Sequence, residues 1–233
     1  MNRPITAQTL QEMMQYYRER AQEYDEWFYR QGQYVLAPEM NARWFSEAYE
    51  VFAALDAFQL TGDILELAPG TGIWTERLVR TASTITAVDA SPEMIEINKA
   101  KVSSDRISYV LADIFSWQPA RVYDGVLFSF WISHVPLERL DDFLRSVRTM
   151  LRPGGKVFFV DGRRELTSTA INHQLPAQES QTSIRTLNNG KTFEIVKNFY
   201  VPNKLAAQCN RLGFDITVRE TATYFLYGYG TRT

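Results

Sequence analysis

The sequence predicts an α/β protein, a doubly wound and mostly parallel sheet with helices on both faces. Three observations predict it. Between residues 63 and 161, short apolar runs alternate with helix-like segments, the pattern of parallel strands joined by crossover helices. The run Asp63-Ile64-Leu65-Glu66-Leu67-Ala68-Pro69-Gly70-Thr71-Gly72 carries an apolar strand straight into a glycine turn, as mononucleotide-binding α/β units do. A second strand, Ile85-Thr86-Ala87-Val88-Asp89, ends in an acid nineteen residues after Gly70.

Taken in order, residues 8–31 read as an amphipathic helix dense in aromatics, with Tyr16, Tyr17, Tyr24, Trp27, Phe28 and Tyr29. Asn41 to Phe58 reads as a second helix, closed by Thr61-Gly62. Strand 63–67 precedes a helix over 73–81. Strand 84–88 precedes a helix opened by Ser91-Pro92-Glu93, where Ser is a good N-cap and Pro suits the first helical position. Ile107 to Leu111 and Tyr123 to Phe130 read as further strands, and Pro136 to Leu151 as a helix stopped by Arg152-Pro153-Gly154-Gly155. Lys156 to Asp161 is a fifth strand. Beyond it the rhythm changes: 162–190 is polar, with a turn cluster at Asn188-Asn189-Gly190. Thr192 to Tyr200 reads as a strand and Pro202 to Leu212 as a helix with Gly213 past its end. Phe214 to Arg219 and Thr223 to Tyr229 alternate like an antiparallel pair at a sheet edge. The expected organisation is one domain, 1–233: a helical cap over 1–60, a core over 61–161, an insertion over 162–200, and a final helix and edge strands over 201–233.

Composition narrows the function. With 233 residues, 45% of them hydrophobic, the chain can bury a sizeable core. No apolar run is long enough to span a bilayer, and Met1-Asn2-Arg3-Pro4 leads into polar sequence rather than a signal peptide. A cytoplasmic location without stable membrane insertion is therefore expected. The single Cys209, expected in the core, excludes an internal disulfide, and only His134 and His173 are present, so no metal site is expected. Net charge is −2 with both signs interspersed, which leaves no electrostatic footprint for nucleic acid. Monomer and homodimer both stay open.

The glycine spacing separates two nucleoside readings. A dinucleotide site wants a third glycine where Thr75 stands, and Trp74 in the first helical turn does not suit a buried pyrophosphate. The alternative pattern, acid-x-Gly-x-Gly-x-Gly, fits Glu66, Gly70 and Gly72, with Ala68 in place of the first glycine. Together with Val88-Asp89-Ala90-Ser91, Ala112-Asp113-Ile114, Tyr123-Asp124-Gly125-Val126 and Leu151-Arg152-Pro153-Gly154-Gly155, in this order, it resembles the class I (Rossmann-like) S-adenosylmethionine-dependent methyltransferases, small-molecule type. The N-terminal pattern Tyr17-x-x-x-Ala21-x-x-Tyr24-Asp25 is similar to the cap that many of them place ahead of the fold.

The resemblance implies a seven-stranded sheet with an antiparallel C-terminal edge hairpin and an N-terminal helical cap. It implies S-adenosylmethionine (SAM) as methyl donor and S-adenosylhomocysteine (SAH) as product. Carried residue by residue, it makes Glu66, Ala68, Gly70, Gly72 and Trp74 part of the cofactor turn, with Gly70 and Gly72 admitting the amino-acid moiety. Asp89 and Ala90 would meet the ribose, Asp89 as acceptor for its two hydroxyls. Met94 would lie against adenine, and Asp113 and Ile114 beside its amino group. Phe130, at the end of the fourth strand, would face the charged amino-acid end. Tyr17 and Tyr24, at i and i+7, would approach the carboxylate and sulfonium, or simply pack.

The acceptor side is less legible. His134 follows the fourth strand and suits a general base, or it caps the helix at Pro136. Trp27, Trp44, Trp131, Arg163 and Tyr224 are candidates for substrate contact, Arg163 toward an anionic acceptor or toward solvent; His173 reads as a surface histidine. The Asn/Asp-Pro-Pro-aromatic motif of nucleic-acid amino-methylating relatives is absent from Ser129-Phe130-Trp131-Ile132. Protein substrates call for extra recognition modules that this length does not hold, so a small organic acceptor such as a natural-product intermediate, methylated on oxygen or nitrogen, is the expectation. A non-catalytic SAM-binding module and a lipid head-group methyltransferase are the alternatives.

Overall fold

The computed structural model describes residues 4–233, so the reading of Met1-Asn2-Arg3 as lacking a leader lies outside the described residues. Nine strands and seven α-helices follow one another among them. The main sheet has seven strands in the order β3-β2-β1-β4-β5-β9-β8. Its members are β1 (Gly62–Leu67), β2 (Ala82–Asp89), β3 (Ile107–Leu111), β4 (Tyr123–Ser129), β5 (Leu151–Gly162), β8 (Phe214–Glu220) and β9 (Phe225–Arg232). β1 to β5 are parallel, whereas β9 runs antiparallel to both β5 and β8. This is the doubly wound sheet with an antiparallel edge hairpin that the sequence predicts.

The strands are buried on both faces, and alternation sorts their side chains. Ile64, Leu127 and Phe158 point to one face, where α3 (Pro38–Phe58) brings Trp44, Val51, Phe52 and Leu55. Leu65, Phe128 and Phe159 point to the other, where α6 (Leu140–Met150) and α7 (Pro202–Arg211) bring Phe143, Leu144, Val147, Leu205 and Cys209. Cys209 is thus a core residue, as its helix position suggests. Phe128 and Phe159 stack at 5.3 Å across adjacent parallel strands. No described helix is long and apolar enough to cross a membrane.

Several boundaries differ from expectation for identifiable reasons. The aromatic N-terminal segment is not one helix: α1 (Ala7–Arg20), capped by the Thr6 hydroxyl, passes through a 3₁₀ turn at Ala21–Glu23 into α2 (Tyr24–Phe28). No proline or glycine marks this break; packing onto the strand ends overrides helix propensity. The segment after the glycine turn is helical only as α4 (Thr75–Leu78), because Trp74 leaves the turn to pack at 4.6 Å on Phe52. α5 (Pro92–Val102) starts as expected, with the Ser91 hydroxyl accepting from Met94 N–H. The stretch expected as a helix from Pro136 opens with a 3₁₀ turn at Leu137–Arg139 before α6. The polar 162–190 region holds an unexpected strand, β6 (Thr182–Thr186), which pairs antiparallel with β7 (Thr192–Val196) as a separate two-stranded sheet. α1 packs on this hairpin through Met13 and Tyr16 against Phe193, Ile195 and Val196.

Trp44 joins cap and sheet. It is 1% exposed, donates its indole N–H to Phe28 O (2.9 Å), lies 4.6 Å from the Phe225 ring, and carries the Arg30 guanidinium 4.7 Å over its face. Trp44→Ala is expected to lower unfolding free energy by about 3–5 kcal/mol, the usual cost of deleting a large buried aromatic. Urea unfolding of the cofactor-free protein measures this, and a loss well under that range would show that the cap is not held through Trp44.

Candidate active site

β1 and β4 are adjacent parallel strands whose chains leave the sheet in opposite directions, so a crevice opens at their carboxyl ends. Both exits use a non-glycine residue in the left-handed region: Ala68 (φ 51°) after β1 and Phe130 (φ 51°) after β4. Such a conformation strains an L-residue, and strain of this kind gathers at binding sites. At Ala68 it explains why the resembled pattern prefers glycine there. Asn98, fully buried on α5, pins the turn by donating to Gly70 O (3.2 Å) and Thr75 Oγ1 (3.0 Å). The two turn glycines then have different tasks. A Cβ on Gly70 would meet nothing nearer than Tyr24 at 4.0 Å, because it faces the open crevice. A Cβ on Gly72 would press on Asn98 at 3.0 Å, so this glycine serves the helix contact behind the turn.

The crevice is a cleft of about 890 Å³. Tyr17, Tyr24, Ala68, Gly70, Asp89, Ala90, Met94, Asp113, Ile114 and Phe130 all line it, ten of the thirteen residues expected to hold the cofactor. Glu66, Gly72 and Trp74 do not. Glu66 is buried beneath the turn with neither carboxyl oxygen in a good hydrogen bond. Burial pushes its carboxyl up to about 8; the neighbouring Thr75 hydroxyl acts the other way, and the Asp89 charge adds to the rise. Trp74 belongs to the core, stacked among Phe52 and Phe130. Trp131, a candidate for acceptor contact, lines this first cleft, as do Met13, Met14 and Phe115, which no sequence motif marks.

Asp89 stands at the centre of the cleft. Its Oδ2 accepts from Gly70 N–H (3.2 Å) and its Oδ1 from Ser91 N–H (2.9 Å). Burial nonetheless raises it to about 6, against the backbone N–H groups of Ser91, Gly70 and Ala90. Asp113 faces the cleft, and its Oδ1 accepts from Phe115 N–H (3.0 Å), holding its own turn. The cap is tied to the glycine turn through Asp25, which accepts from the Thr71 hydroxyl and from Lys101 Nζ, each at 2.5 Å.

A second cavity of about 610 Å³ adjoins the first, and Tyr17, Tyr24, Phe130 and His134 line both. His134 Nδ1 donates to Val196 O (2.6 Å), which leaves Nε2 to accept from the Tyr17 hydroxyl (2.7 Å). Burial, then the positive charge of Lys197, drives the imidazole down to about 3, so it is neutral at ordinary pH. Of the residues expected at the acceptor, Trp27 and Arg163 line this cavity; Trp44 and Tyr224 are core residues that line neither. Trp27 donates its indole N–H to Ser168 O (2.8 Å). The Arg163 guanidinium is engaged by Thr221 O and Ala222 O, each at 2.7 Å, and by Glu220 at 3.2 Å. His173, read as a surface residue, is buried on this cavity and accepts from Thr186 N–H (2.9 Å). Arg20, Arg185 and Lys197 also line it, and no sequence motif singled them out.

Residues 64–155 match the family model described as Methyltransferase domain. The fold is shared along nearly its whole length with a solved DhpI-SAH complex: 34% identity, 98% of each chain covered, TM-score 0.79. The chain belongs to the class I SAM-dependent methyltransferases. A DhpI-SAM-HEP complex is similar at 33% identity over 97% of this chain and 99% of that one, TM-score 0.79. A curated relative, the mitochondrial ubiquinone biosynthesis O-methyltransferase of Schizosaccharomyces pombe, is 32% identical over 51% of this chain and 44% of its own. The chain thus spans less than half the length of that relative. In this methyltransferase the residues of the first cleft fit SAM: an open space over Gly70, an acceptor at Asp89 and an apolar slot at Met94 and Ile114.

Because Asp89 has to be ionised to accept from two ribose hydroxyls, SAH affinity is expected to fall as pH drops through about 6. The loss approaches tenfold per pH unit below that point, the slope of one required deprotonation. Calorimetric titration with SAH between pH 8 and 5 checks this, and Asp89→Asn is expected to bind weakly with no such slope. A wild-type affinity that stays level to pH 5 would remove Asp89 from ribose recognition.

Proposed function

We propose that the protein transfers the methyl group of SAM to a small organic acceptor seated in the second cavity, on oxygen or nitrogen. The observation that carries this reading is the shared wall: Tyr17, Tyr24, Phe130 and His134 border both cavities, so two ligands would meet across them. Similar proteins support this reading in kind, one an O-methyltransferase and one solved with SAM and HEP together.

Bound SAM supplies an electrophilic methyl group on a sulfonium. The chain's part is to align, to exclude water and to leave the acceptor atom nucleophilic. Alignment is where most acceleration arises in such displacements, worth about 7–11 kcal/mol when both reactants are well oriented. The rings of Tyr17, Tyr24, Trp27 and Phe130 pack edge to face, with Trp27 and Phe130 centroids 4.6 Å apart, and form a water-poor aromatic boundary that favours a cationic centre.

In this reading His134 positions rather than deprotonates. A neutral imidazole held down to about 3 is a weak base for a hydroxyl, and its free nitrogen is already occupied by Tyr17. It fixes the Tyr17 hydroxyl at the junction of the cavities. An acceptor that carries its own available lone pair, an oxyanion or a neutral amine, fits that arrangement.

His134→Ala and Tyr17→Phe are each expected to lower turnover by roughly tenfold or more, the scale of losing one oriented polar group beside a reacting centre. Cofactor affinity should move by no more than about 1 kcal/mol, one ordinary hydrogen bond. Turnover should show no inflection from His134 between pH 6 and 8. Label transfer from methyl-labelled SAM, with SAH titration in parallel, measures both; a turnover limb near neutral pH that disappears in His134→Ala would instead make His134 the base.

A further inference from the structure

The second cavity has an unbalanced charge. Arg20, in the last turn of α1, is 9% exposed and forms no salt bridge; its Nη2 donates only to the Tyr34 hydroxyl (3.1 Å). Its guanidinium lies 4.9 Å over the Tyr24 ring and 5.5 Å from the Tyr16 ring. Arg185, on β6, is 8% exposed; among the described residues its side chain has neither a hydrogen bond nor an ion pair, and its Nη1 is buried without a partner. The other two cations on this cavity are paired: Arg163 with Glu220 at 3.2 Å, and Lys197 with Asp161 at 3.1 Å, the Ser133 hydroxyl also accepting from Lys197 at 2.8 Å.

Among the described residues no carboxylate lines this cavity, whose other polar walls include Tyr16, Tyr34, His173, Ser168 and Thr169. Burying a guanidinium away from water without a counter-charge costs several kcal/mol, so chains bury such groups paired or against a ligand. The tyrosine faces compensate Arg20 in part. Among the described residues no aromatic face lies under the Arg185 guanidinium as two tyrosine faces lie under that of Arg20, and its Nη1 has no partner. Its charge reaches its neighbours: after burial itself, Arg185 is the chief influence lowering His173, and it also lowers His134 and Lys197.

We infer that the second cavity is an anion-binding acceptor site, in which Arg20 and Arg185 hold the phosphate, phosphonate or carboxylate group of a small organic substrate. The inference rests on the reading that the acceptor occupies this cavity. Two guanidinium forks suit an oxyanion that takes bidentate hydrogen bonds, which an ammonium or an amide would not. Trp27, Tyr24 and Phe130 close the side toward the cofactor, so a short organic chain spans from the anion to the shared wall. The arrangement selects by charge and size: an uncharged acceptor of the same shape leaves Arg185 unpaired and is rejected.

The test uses the full chain loaded with SAH, titrated calorimetrically with methylphosphonate, acetate and, as uncharged control, acetamide. At least one of the two anions is expected to bind at least about tenfold more tightly than acetamide, the scale of one charge-assisted pair. The stronger of the two identifies the oxyanion. Arg185→Gln should lower that affinity by about tenfold or more, Arg185→Lys should retain only part of it because an ammonium keeps the charge but not the fork, and SAH affinity should be unchanged in both. Equal binding of acetamide and the anions, no anion binding with intact SAH binding, or an anion affinity indifferent to Arg185→Gln and Arg20→Gln would each overturn the anion site. Label transfer from methyl-labelled SAM then separates the two readings. Transfer to uncharged acceptors at the same rate in Arg185→Gln keeps methyl transfer and refutes the anion; arginine-dependent anion binding without transfer to any hydroxy- or amino-substituted phosphonate or carboxylate refutes the acceptor role.

Discussion

The parting of β1 and β4 is the constraint on which the rest of the molecule depends. Parallel strands need crossover connections, and these place their helices on opposite faces once the strand order reverses. The order β3-β2-β1-β4-β5 makes that reversal at one place, between β1 and β4. The chain has to turn sharply away from both strand ends, and Ala68 and Phe130 both take the left-handed conformation there. Everything functional is arranged around this opening: Asp89 from the end of β2, Asp113 from the loop after β3, and His134 from the 3₁₀ turn after β4. The buried amide of Asn98 is what lets a strained turn persist, since it satisfies Gly70 O from behind while Tyr109 donates to its own oxygen at 2.7 Å.

The two cavities divide their electrostatics. The first cleft carries two acids, Asp89 and Asp113, against one cation, Arg139, with Glu66 behind them pushed up to about 8 by burial. The second cavity carries cations and neutral imidazoles and no acid along its walls. What separates these fields is an uncharged aromatic partition of Tyr17, Tyr24 and Phe130, with His134 neutral among them. In a low-dielectric partition a single extra charge would be costly, so the tautomer imposed by Val196 O and the hydrogen bond from Tyr17 matter more than proton affinity. One helix serves both sides: α1 gives Met13 and Met14 to the cofactor cleft, Tyr16 and Arg20 to the second cavity, and Tyr17 to both.

Much of the core was legible because its signals are local. Apolar strands buried on both faces, a glycine turn, a Ser-Pro helix start and a Pro-Gly-Gly stop each act over a few residues, and together they imply the sheet and the cofactor residues on it. Where the reading failed, the decisive forces were not local. Glu66 and Gly72 belong to the turn but face away from the cleft, which spacing alone does not reveal. The break between α1 and α2 has no sequence marker, because the packing of Trp27 on Trp44 (5.2 Å) and Phe130 redirects the chain. Trp44 and Tyr224 look like ligand aromatics in sequence and are core residues because α3 lies flat against β9.

The missed strand β6 is the most instructive failure. Strands are found by apolar residues at alternate positions, and on β6 the inward positions are Ser183 and Arg185. Its partner β7 turns Phe193 and Ile195 inward and was found. A strand whose buried face is polar breaks the rule that makes strands visible, and an unrelieved guanidinium on that face breaks the rule that buried charges are paired. Two violations at one residue, in a segment that hydrogen bonding to β7 holds rigidly, are not what packing alone would produce. Local consistency tends to fail where a sequence serves a ligand instead of its own fold. On the proposal made above, the illegible stretch is therefore where the acceptor's chemistry is written.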